Sequence, residues 1–387
     1  MSEGNEILLE IAADRIVSVG VAVSYDHRPL ERWCESGSFS QALGALSRPC
    51  GICGHAHAPA FLSAVERIMG IQPPPRGAVI RLILAELERS RVHLEAVAGS
   101  ARAGGFHSLA AELRRESARV ASLVRAAFGT HPIVSLDAPG GPRRDLSPAQ
   151  AQELERGARW TEERGKRYLE RFTESGPIVA RLGGVGLVTR EEALRLGAPG
   201  PVARASGVTR DLRRDSPYGA YLELRPEPIS GARGDALGRV QLRLGELIES
   251  CRTIRHAAAR LPAGPYAVEV PARAGPGQAI CRVESPSGEE LQEVAAAGTD
   301  RPQGVEIRPA SASVPRLLAS ALIGVRLEDA CIAVAGLDPR LADSGCVVSV
   351  RERGAERERR LRWSELERIG MAPFGGGKRE LEADRAS

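Results

Sequence analysis

The residues best suited to chemistry in this chain are Cys50 and Cys53, a Cys-x-x-Cys pair in a glycine-rich turn followed by a helical pattern. At this spacing, two thiolates from one turn can hold a single metal ion and leave its other coordination positions open. A metal or redox site is one interpretation of the pair. The other is that both cysteines are small buried hydrophobic side chains.

A site that holds a soft metal with four sulfurs needs a second pair of cysteines from elsewhere in the chain. No two of the remaining cysteines repeat the Cys-x-x-Cys spacing: Cys34, Cys251, Cys281, Cys331 and Cys346. The sequence therefore carries half of a four-thiolate cage.

Three histidines near the cysteine pair extend its candidate chemistry. His55 and His57 could add imidazole nitrogens, giving a ligand set that suits zinc or iron. Alternatively, each makes a hydrogen bond that orients the turn, the interpretation that we favour for His57. His27 is either a proton donor beside a cavity or a surface-loop residue, because imidazole titrates near neutral pH and its surroundings decide its charge.

The composition is that of an ordinary globular protein, with 387 residues, 43% hydrophobic, 26% charged and only 4% aromatic residues. The net charge of +4 comes from arginines spread over every segment, without a basic face or aromatic platform, so we expect no nucleic-acid partner. No apolar run is long enough to span a membrane, and the acidic N-terminus lacks a signal-peptide layout. We therefore expect a cytoplasmic protein, with seven cysteines that serve as metal ligands, redox groups or inert buried thiols.

The pattern of apolar residues predicts an α+β fold whose centre is a bundle of long helices. Residues 6–25 read as a β-hairpin, and helices are predicted over 58–70, from Pro73 to about 104, over 107–128 and from Ser147 to about 175. The glycines at 183, 184 and 186 indicate a loop or short strand, and 235–261 is helical again.

The last part of the chain is predicted to mix strands and helices. We expect strands within 266–308, a helix over 314–322 and a buried strand over 331–335. As domains, we expect one unit over 1–346, containing a hairpin and loop (6–34), a helical core (48–262) and an α/β segment (265–346). A charged tail over 347–387 should form a solvated helix followed by disorder.

Several blocks of this sequence, taken in order, resemble the large subunits of nickel–iron hydrogenases and the D-type quinone-site subunit of respiratory complex I, which share a fold. The blocks are Arg48-Pro-Cys-Gly-Ile-Cys-Gly-His-Ala-His57, Glu86-Leu-Glu-Arg89 with His93, Arg181-Leu-Gly-Gly184, Ser206-Gly-Val208 with Asp211-Leu-Arg213, Gly234-Asp235 with Arg239 and Arg243, Glu284-Ser-Pro-Ser-Gly288, and Leu337-Asp-Pro-Arg340. The resemblance covers roughly 6–346 and implies a hydrogenase-large-subunit-like fold.

The sequence departs from the hydrogenase pattern at the positions that matter for nickel. The two distal nickel cysteines are replaced by Arg340 and Asp343, and the arginine that faces the iron ligands is replaced by Ser287. A guanidinium cannot ligate nickel, and a carboxylate is a poor match for a soft thiolate site. The resemblance therefore implies that an intact nickel–iron centre is not formed, although Arg48, His57, Ser287, Arg340 and Asp343 line the cofactor cavity.

The complex I branch offers a different chemistry for the same cavity, because its members lose the cysteines and bind quinone there. The segment His27-Arg-Pro-Leu-Glu31 resembles the loop that carries their quinone-head histidine, which makes His27 the candidate catalytic residue. Their tyrosine partner falls near Gly51, so this chain offers no phenol there.

Two main hypotheses for the function follow, and a third is structural. In the first, the chain is a D-type subunit that packs against a small iron–sulfur subunit, sits indirectly on membrane subunits at the inner face of the membrane, and passes electrons to quinone or another acceptor. In the second, it is a hydrogenase assembly scaffold that holds an iron fragment on Cys50 and Cys53. In the third, it is a structural paralogue without chemistry.

Overall fold

The computed structural model describes residues 6–22, 27–46, 54–130, 133–337, 346–355 and 358–375, and gives only the backbone of 27–29, 134–135 and 372–375. Four long helices form its centre: α4 (Pro75–Ala103), α5 (His107–Phe128), α6 (Pro148–Glu174) and α11 (Ala236–Ala259). The predicted α+β fold with a central bundle is confirmed.

The long helices pack on one another through the larger of two hydrophobic cores. Helix α11 contacts α4 and α6, and α5 contacts α4 and α6. Leu87, Leu113, Leu154 and Leu247 are among the buried side chains of this core. Sequence-encoded ends fix the helix bounds: Ser147 and Gln150 form a reciprocal capping box at the start of α6, as the sequence predicts.

A second core lies under a three-stranded antiparallel sheet in the order β5–β6–β7, formed by β5 (Gly277–Ser285), β6 (Gly288–Ala296) and β7 (Gly304–Arg308). Three helices cover it: α1 (His27–Ser36), α2 (Phe39–Leu46) and α3 (Ala58–Met69). This sheet and α3 hold the segments on either side of the predicted site.

The N-terminal hairpin is confirmed, but its sheet also contains residues that the sequence assigned to a solvated tail. Strands β1 (Glu6–Ala12) and β2 (Arg15–Ala22) pair with β8 (Val347–Glu352) and β9 (Glu358–Arg362) in the order β2–β1–β8–β9, with β1 and β8 parallel. Helix α14 (Trp363–Gly375) follows. The prediction of a solvated helix from residue 351 is wrong, because Val348, Leu361 and Trp363 are buried in the main core.

Short helices complete the described part of the chain. They are α7 (Gly176–Leu182), α8 (Arg190–Leu196), α9 (Gly200–Ala205), α10 (Leu212–Asp215), α12 (Val314–Leu322) and α13 (Ala330–Leu337). The predicted strand over 331–335 is wrong, since these residues lie in α13. Every residue of α13 is buried, so its sequence lacks the alternation that distinguishes helix from strand. The predicted loop at 183–186 is confirmed: Gly186 has φ +61°, and a Cβ there would lie 2.8 Å from Ala333.

Candidate functional site

The predicted site residues divide into those that the structure describes and those that it does not. Arg48, Cys50, Cys53, Arg340 and Asp343 lie outside the described residues. His57 and Ser287 lie within them, and His27 begins α1, where only its backbone is described.

Helix α1 carries the loop motif that includes His27, and its acidic residue has a structural partner. Glu31 accepts a hydrogen bond from the backbone N–H of Ile307 (3.0 Å), and Glu35 accepts one from Val305 (3.0 Å). These carboxylates satisfy N–H groups of edge strand β7, which would otherwise be open for pairing. The segment after His27 is thereby fixed against the sheet.

His57, the last residue before α3, joins the cysteine turn to strand β6. Its Nδ1 contacts the carboxylate of Glu290, and its carbonyl oxygen accepts a hydrogen bond from Gln292 Nε2 (2.8 Å). Glu290 lies three residues after Ser287 in the chain, so these contacts bring two predicted site segments together. The favoured interpretation of His57, a hydrogen bond that orients the turn, agrees with this geometry.

His55 is held from two sides at the end of the cysteine turn. Its backbone N–H donates to Glu88 Oε1 (3.3 Å), and its Nε2 lies 3.4 Å from Asp137 Oδ2. Arg81 reaches Asp137 as well, and donates two hydrogen bonds to the carboxylate of Glu66 (2.7 and 3.0 Å).

We call this group the turn cluster: His55, His57, Glu66, Arg81, Glu88, Asp137 and Glu290. Its four carboxylates are faced by the guanidinium of Arg81 and by Arg91, which lies 3.4 Å from Glu88. Negative charge is therefore in excess while both imidazoles are neutral. Buried negative charge without full pairing is costly, so the turn cluster favours a cation beside it.

A second and larger group of buried charges lies where α4, α9, α10, α11 and β5 meet. We call it the arginine–carboxylate cluster: Glu86, Arg89, His93, Arg204, Asp211, Arg213, Arg243, Glu246 and Glu284. All nine residues are buried. Four guanidiniums match four carboxylates in it, so it is formally neutral when His93 is uncharged.

Glu86 anchors the half of this cluster that lies along α4. Its carboxylate accepts hydrogen bonds from Tyr221 and Ser250 (2.5 and 2.6 Å) and pairs with Arg89 and Arg213 (3.3 and 3.2 Å). Burial by itself would raise the pKa of Glu86, but the two guanidiniums and the two hydroxyl donors lower it to about 2. Glu86 is therefore ionised at neutral pH.

Arg204 and His93 form the other half of the cluster. The guanidinium of Arg204 pairs with Glu246 (2.5 Å) and with Glu284 (2.8 Å). His93 Nε2 lies 2.9 Å from Glu246, while its Nδ1 lies 3.3 Å from Arg243 Nη1. Burial lowers the pKa of His93 to about 4, so the imidazole is neutral, with its lone pair toward the guanidinium of Arg243.

The turn between β5 and β6, which contains Ser287, is fixed by the same cluster. Arg89 donates to the carbonyl oxygens of Glu284 (2.6 Å) and Ser285 (2.9 Å). Gly288 approaches α9 so closely that a Cβ would lie 2.5 Å from the backbone N of Gly200. The turn therefore has one position, set by α4 on one side and α9 on the other.

The described cysteines do not replace the two missing nickel ligands. Burial raises the pKa of Cys34 and Cys251 to about 12 and that of Cys346 to about 11, so these thiols stay protonated, whereas a metal needs thiolates. Within the described ranges, no three histidine, cysteine or acidic side chains are grouped to hold a metal.

Sequence reasoning found part of this arrangement and missed part. It placed Asp211 and Arg213 in one block of the resemblance, and the two form an ion pair in which Arg213 Nη2 lies 2.6 Å from Asp211 Oδ2. It did not identify Arg204, Glu284 or the Glu290 contact. The available signal was charge at positions of α4 and α11 that the apolar pattern places inside, such as Glu86 and Glu246.

Comparisons with known proteins agree with this architecture. The profile of the family described as "Respiratory-chain NADH dehydrogenase, 49 Kd subunit" matches residues 105–276. The membrane-bound hydrogenase subunit alpha of Pyrococcus furiosus is 30% identical, over 91% of this chain and 86% of that protein. A D-type subunit of the NADH-quinone oxidoreductase of Koribacter versatilis is 28% identical, over 87% of this chain and 91% of that protein.

A solved structure is also similar. A chain of the membrane-bound sulfane sulfur reductase, an archaeal respiratory membrane complex, superposes with a TM-score of 0.79 at 28% identity, covering 86% of this chain and 92% of that one. The described helices of the present chain are each too short or too polar to cross a bilayer. With its long-helix bundle and with relatives aligned over most of their length, this chain belongs to the family that unites hydrogenase large subunits with the D-type (49 kDa) subunit of respiratory complex I.

Proposed function

We propose that this chain is the D-type subunit of a peripheral electron-transfer arm on a membrane complex. Electrons reach it from a small iron–sulfur subunit that docks beside the cysteine turn, and they leave to quinone or another acceptor. Relatives whose names describe subunits of membrane-bound hydrogenase and NADH-quinone oxidoreductase support this proposal over the assembly scaffold.

The observation that carries the proposal is the contact between His57, which follows the cysteine turn, and strand β6, which follows the β5–β6 turn. His57 binds Glu290 and Gln292, while Arg89 fixes the turn that contains Ser287. These contacts hold two predicted site segments, more than 200 residues apart in the chain, close to each other, which supports the proposal that both belong to one site. A structural paralogue without chemistry would not need such a site.

Each of the two segments has a proposed role that follows from the chemistry of its residues. The excess carboxylates of the turn cluster would favour an iron or zinc ion held by Cys50 and Cys53. Quinone, when bound, supplies a two-electron, two-proton acceptor. His27 donates a proton at the acceptor, and the capped segment after it, which includes Glu31, keeps α1 in place.

The test is a comparison of variants in the complex purified from membranes with its natural partners. Cys50→Ser and Cys53→Ser should lower bound iron or zinc and the rate of electron transfer to a soluble quinone analogue. Cys34→Ser, which removes a buried thiol from the second core, is the matched control and should change neither. Full metal content and full rate in the Cys50 and Cys53 variants would contradict the proposed role of the turn.

His27 is tested by separating electron delivery from proton delivery. His27→Ala should leave the partner's iron–sulfur signals reducible but slow the reduction of the quinone analogue, more strongly at high pH where solvent protons are scarce. An unchanged rate at every pH would show that His27 is a surface residue.

A further inference from the structure

A cavity of about 420 Å³ opens beside the arginine–carboxylate cluster, between the α8–α9 segment and the β5–β6–β7 sheet. Its lining includes Ala198, Gly200, Arg210, Glu284, Arg308 and Ser313. The cavity reaches solvent on one side. Glu284 and Glu289, which flank the β5–β6 turn, are among its lining residues.

Of the described titratable residues that line this cavity, Glu284 is the one whose side chain is deeply buried. It is 5% exposed, whereas Arg210 and Arg308 are exposed and the side chain of Glu289 is 32% exposed. Its Oε1 lies 2.8 Å from Arg204 Nη1, and its Oε2 accepts a hydrogen bond from the N–H of Leu212 (3.2 Å). One carboxylate thus separates cavity solvent from the buried charges.

The charged groups around Glu284 are Arg89 from α4, Arg204 from α9, Asp211 at the start of α10 and Arg213 within it, and Glu289 lies opposite on β6. The hydroxyl of Tyr218 also faces it and accepts a hydrogen bond from its backbone N–H. Burial, together with the charge of Asp211, raises the pKa of Glu284 in spite of the three guanidiniums. The pKa of Glu86 and that of Asp211 are instead lowered to about 2, and that of Glu246 is lowered well below its usual value. Glu284 is therefore the carboxylate of the cluster that binds a proton most readily.

The charge balance of the cluster explains why a proton would bind to Glu284. Four guanidiniums and four carboxylates compensate one another, so an electron that arrives at the adjoining site adds a negative charge that nothing in the cluster offsets. An unpaired buried charge costs several kcal/mol, whereas a proton on a nearby carboxylate restores neutrality.

We propose that the cavity is a proton-entry site, and that Glu284 takes a proton from cavity solvent when the adjoining site is reduced. This inference rests on the proposed function, which supplies the electron. In the step, a hydronium ion gives its proton to a carboxylate oxygen of Glu284. One O–H bond breaks, one forms, and no electron moves through Glu284.

The first experiment uses the full chain without partners and needs no activity. Infrared titration should detect a carboxylic acid C=O band that persists to a pH above the ordinary glutamate range. Glu284→Gln should remove this band. Glu289→Gln, which changes a half-exposed carboxylate lining the same cavity, should keep it. A band that survives Glu284→Gln, or a Glu284 that titrates like an exposed glutamate, would overturn the proposal.

Access through the cavity is tested by the rate at which this band shifts in deuterated water. Ser313→Trp adds bulk at the lining, at a residue whose side chain makes no capping hydrogen bond, and should slow the shift several-fold. An unchanged rate would show that protons reach Glu284 by another route. If Glu284→Gln fails to fold, Glu284→Asp keeps the charge and should move the band without removing it.

The second experiment uses the complex with its partner subunits. Reduction with dithionite should increase the Glu284 acid band at neutral pH, and the increase should be lost in Glu284→Gln. If reduction of the complex leaves the band unchanged, proton uptake by Glu284 on reduction is overturned, whereas the proposed function is judged separately by the rate at which the same complex reduces the quinone analogue.

Discussion

Replacing Glu86 by glutamine removes one charge from the centre of the arginine–carboxylate cluster and leaves its shape almost unchanged. The single amide oxygen can accept a hydrogen bond from Tyr221 or from Ser250, but not from both, and Arg89 and Arg213 lose their shared counter-charge. We expect a large loss of stability, because uncompensated guanidiniums would remain in a buried site.

The size of this loss follows from the pKa of Glu86. A shift from 4.5 to about 2 is equivalent to about 3 kcal/mol of preference for the ionised form in the folded chain. Removing one partner of a buried ion pair typically costs about 3–5 kcal/mol, which agrees. Glu86→Gln should therefore lower the free energy of unfolding by about 3 kcal/mol at neutral pH.

The loss should also depend on pH in a stated direction. Because the folded pKa of Glu86 is below the unfolded value, its stabilising effect is complete above about 4.5 and disappears as the pH falls through about 2. The difference between wild type and Glu86→Gln should thus shrink by about 2 kcal/mol between pH 7 and pH 3.

Denaturant unfolding of the full chain at both pH values measures this difference. Glu153→Gln on α6, which breaks an exposed pair with Arg156, is the matched control and should cost less than about 1 kcal/mol. If Glu86→Gln costs no more than Glu153→Gln, or if its cost is the same at both pH values, the cluster does not stabilise the fold through charge.

Three further predictions concern other parts of the fold. Gly77→Ala should lower the free energy of unfolding by about 1–3 kcal/mol, because its Cβ would lie 2.0 Å from the carbonyl oxygen of Tyr266. The control is Gly99→Ala on the same helix, whose Cβ would meet nothing within 4 Å and which should be neutral or stabilising. Denaturant unfolding measures both. Cys251, whose pKa burial raises to about 12, should resist alkylation at about pH 8 until the chain unfolds, as peptide mass spectrometry would detect. Val348→Ala in β8 should cost about 2 kcal/mol, whereas Arg359→Ala in the neighbouring strand should cost under about 0.5 kcal/mol; equal costs would show that β8 is not part of the main core.

The sequence predicted those elements whose causes are local. The long helices follow from apolar spacing and from capping residues such as Ser147 and Gln150, and the hairpin follows from two β-type runs around a polar turn. Strand β8 could not be predicted in this way. Its partner β1 lies about 340 residues earlier, and the charged residues that follow from Arg351 masked the short apolar run of the strand.

For the site as well, the sequence predicted which residue types matter but not which residues they contact. Chemistry-bearing residues could be chosen by type, but their contacts could not, because Arg204 reaches Glu284 across 80 positions and His57 reaches Glu290 across 233. Buried ion pairs depend on which elements the fold brings together. A charged residue on the buried face of a helix therefore indicates that it has an ion-pair partner, but not which residue that partner is.

Helix α4 joins the two charge clusters, and its geometry explains why they can act together. Glu86, Arg89 and His93 follow one another at spacings of three and four, so they share a face that points to the arginine–carboxylate cluster. Arg81 and Glu88, seven residues apart, lie on another face toward the cysteine turn. One rigid helix thus fixes the distance between a cluster with excess negative charge and a cluster in balance. The electron that the proposed function brings to this region adds a negative charge that the balanced cluster cannot offset without a proton. Proton uptake at Glu284, the cluster carboxylate that lines a solvent-connected cavity, is the response that this arrangement permits at the lowest cost.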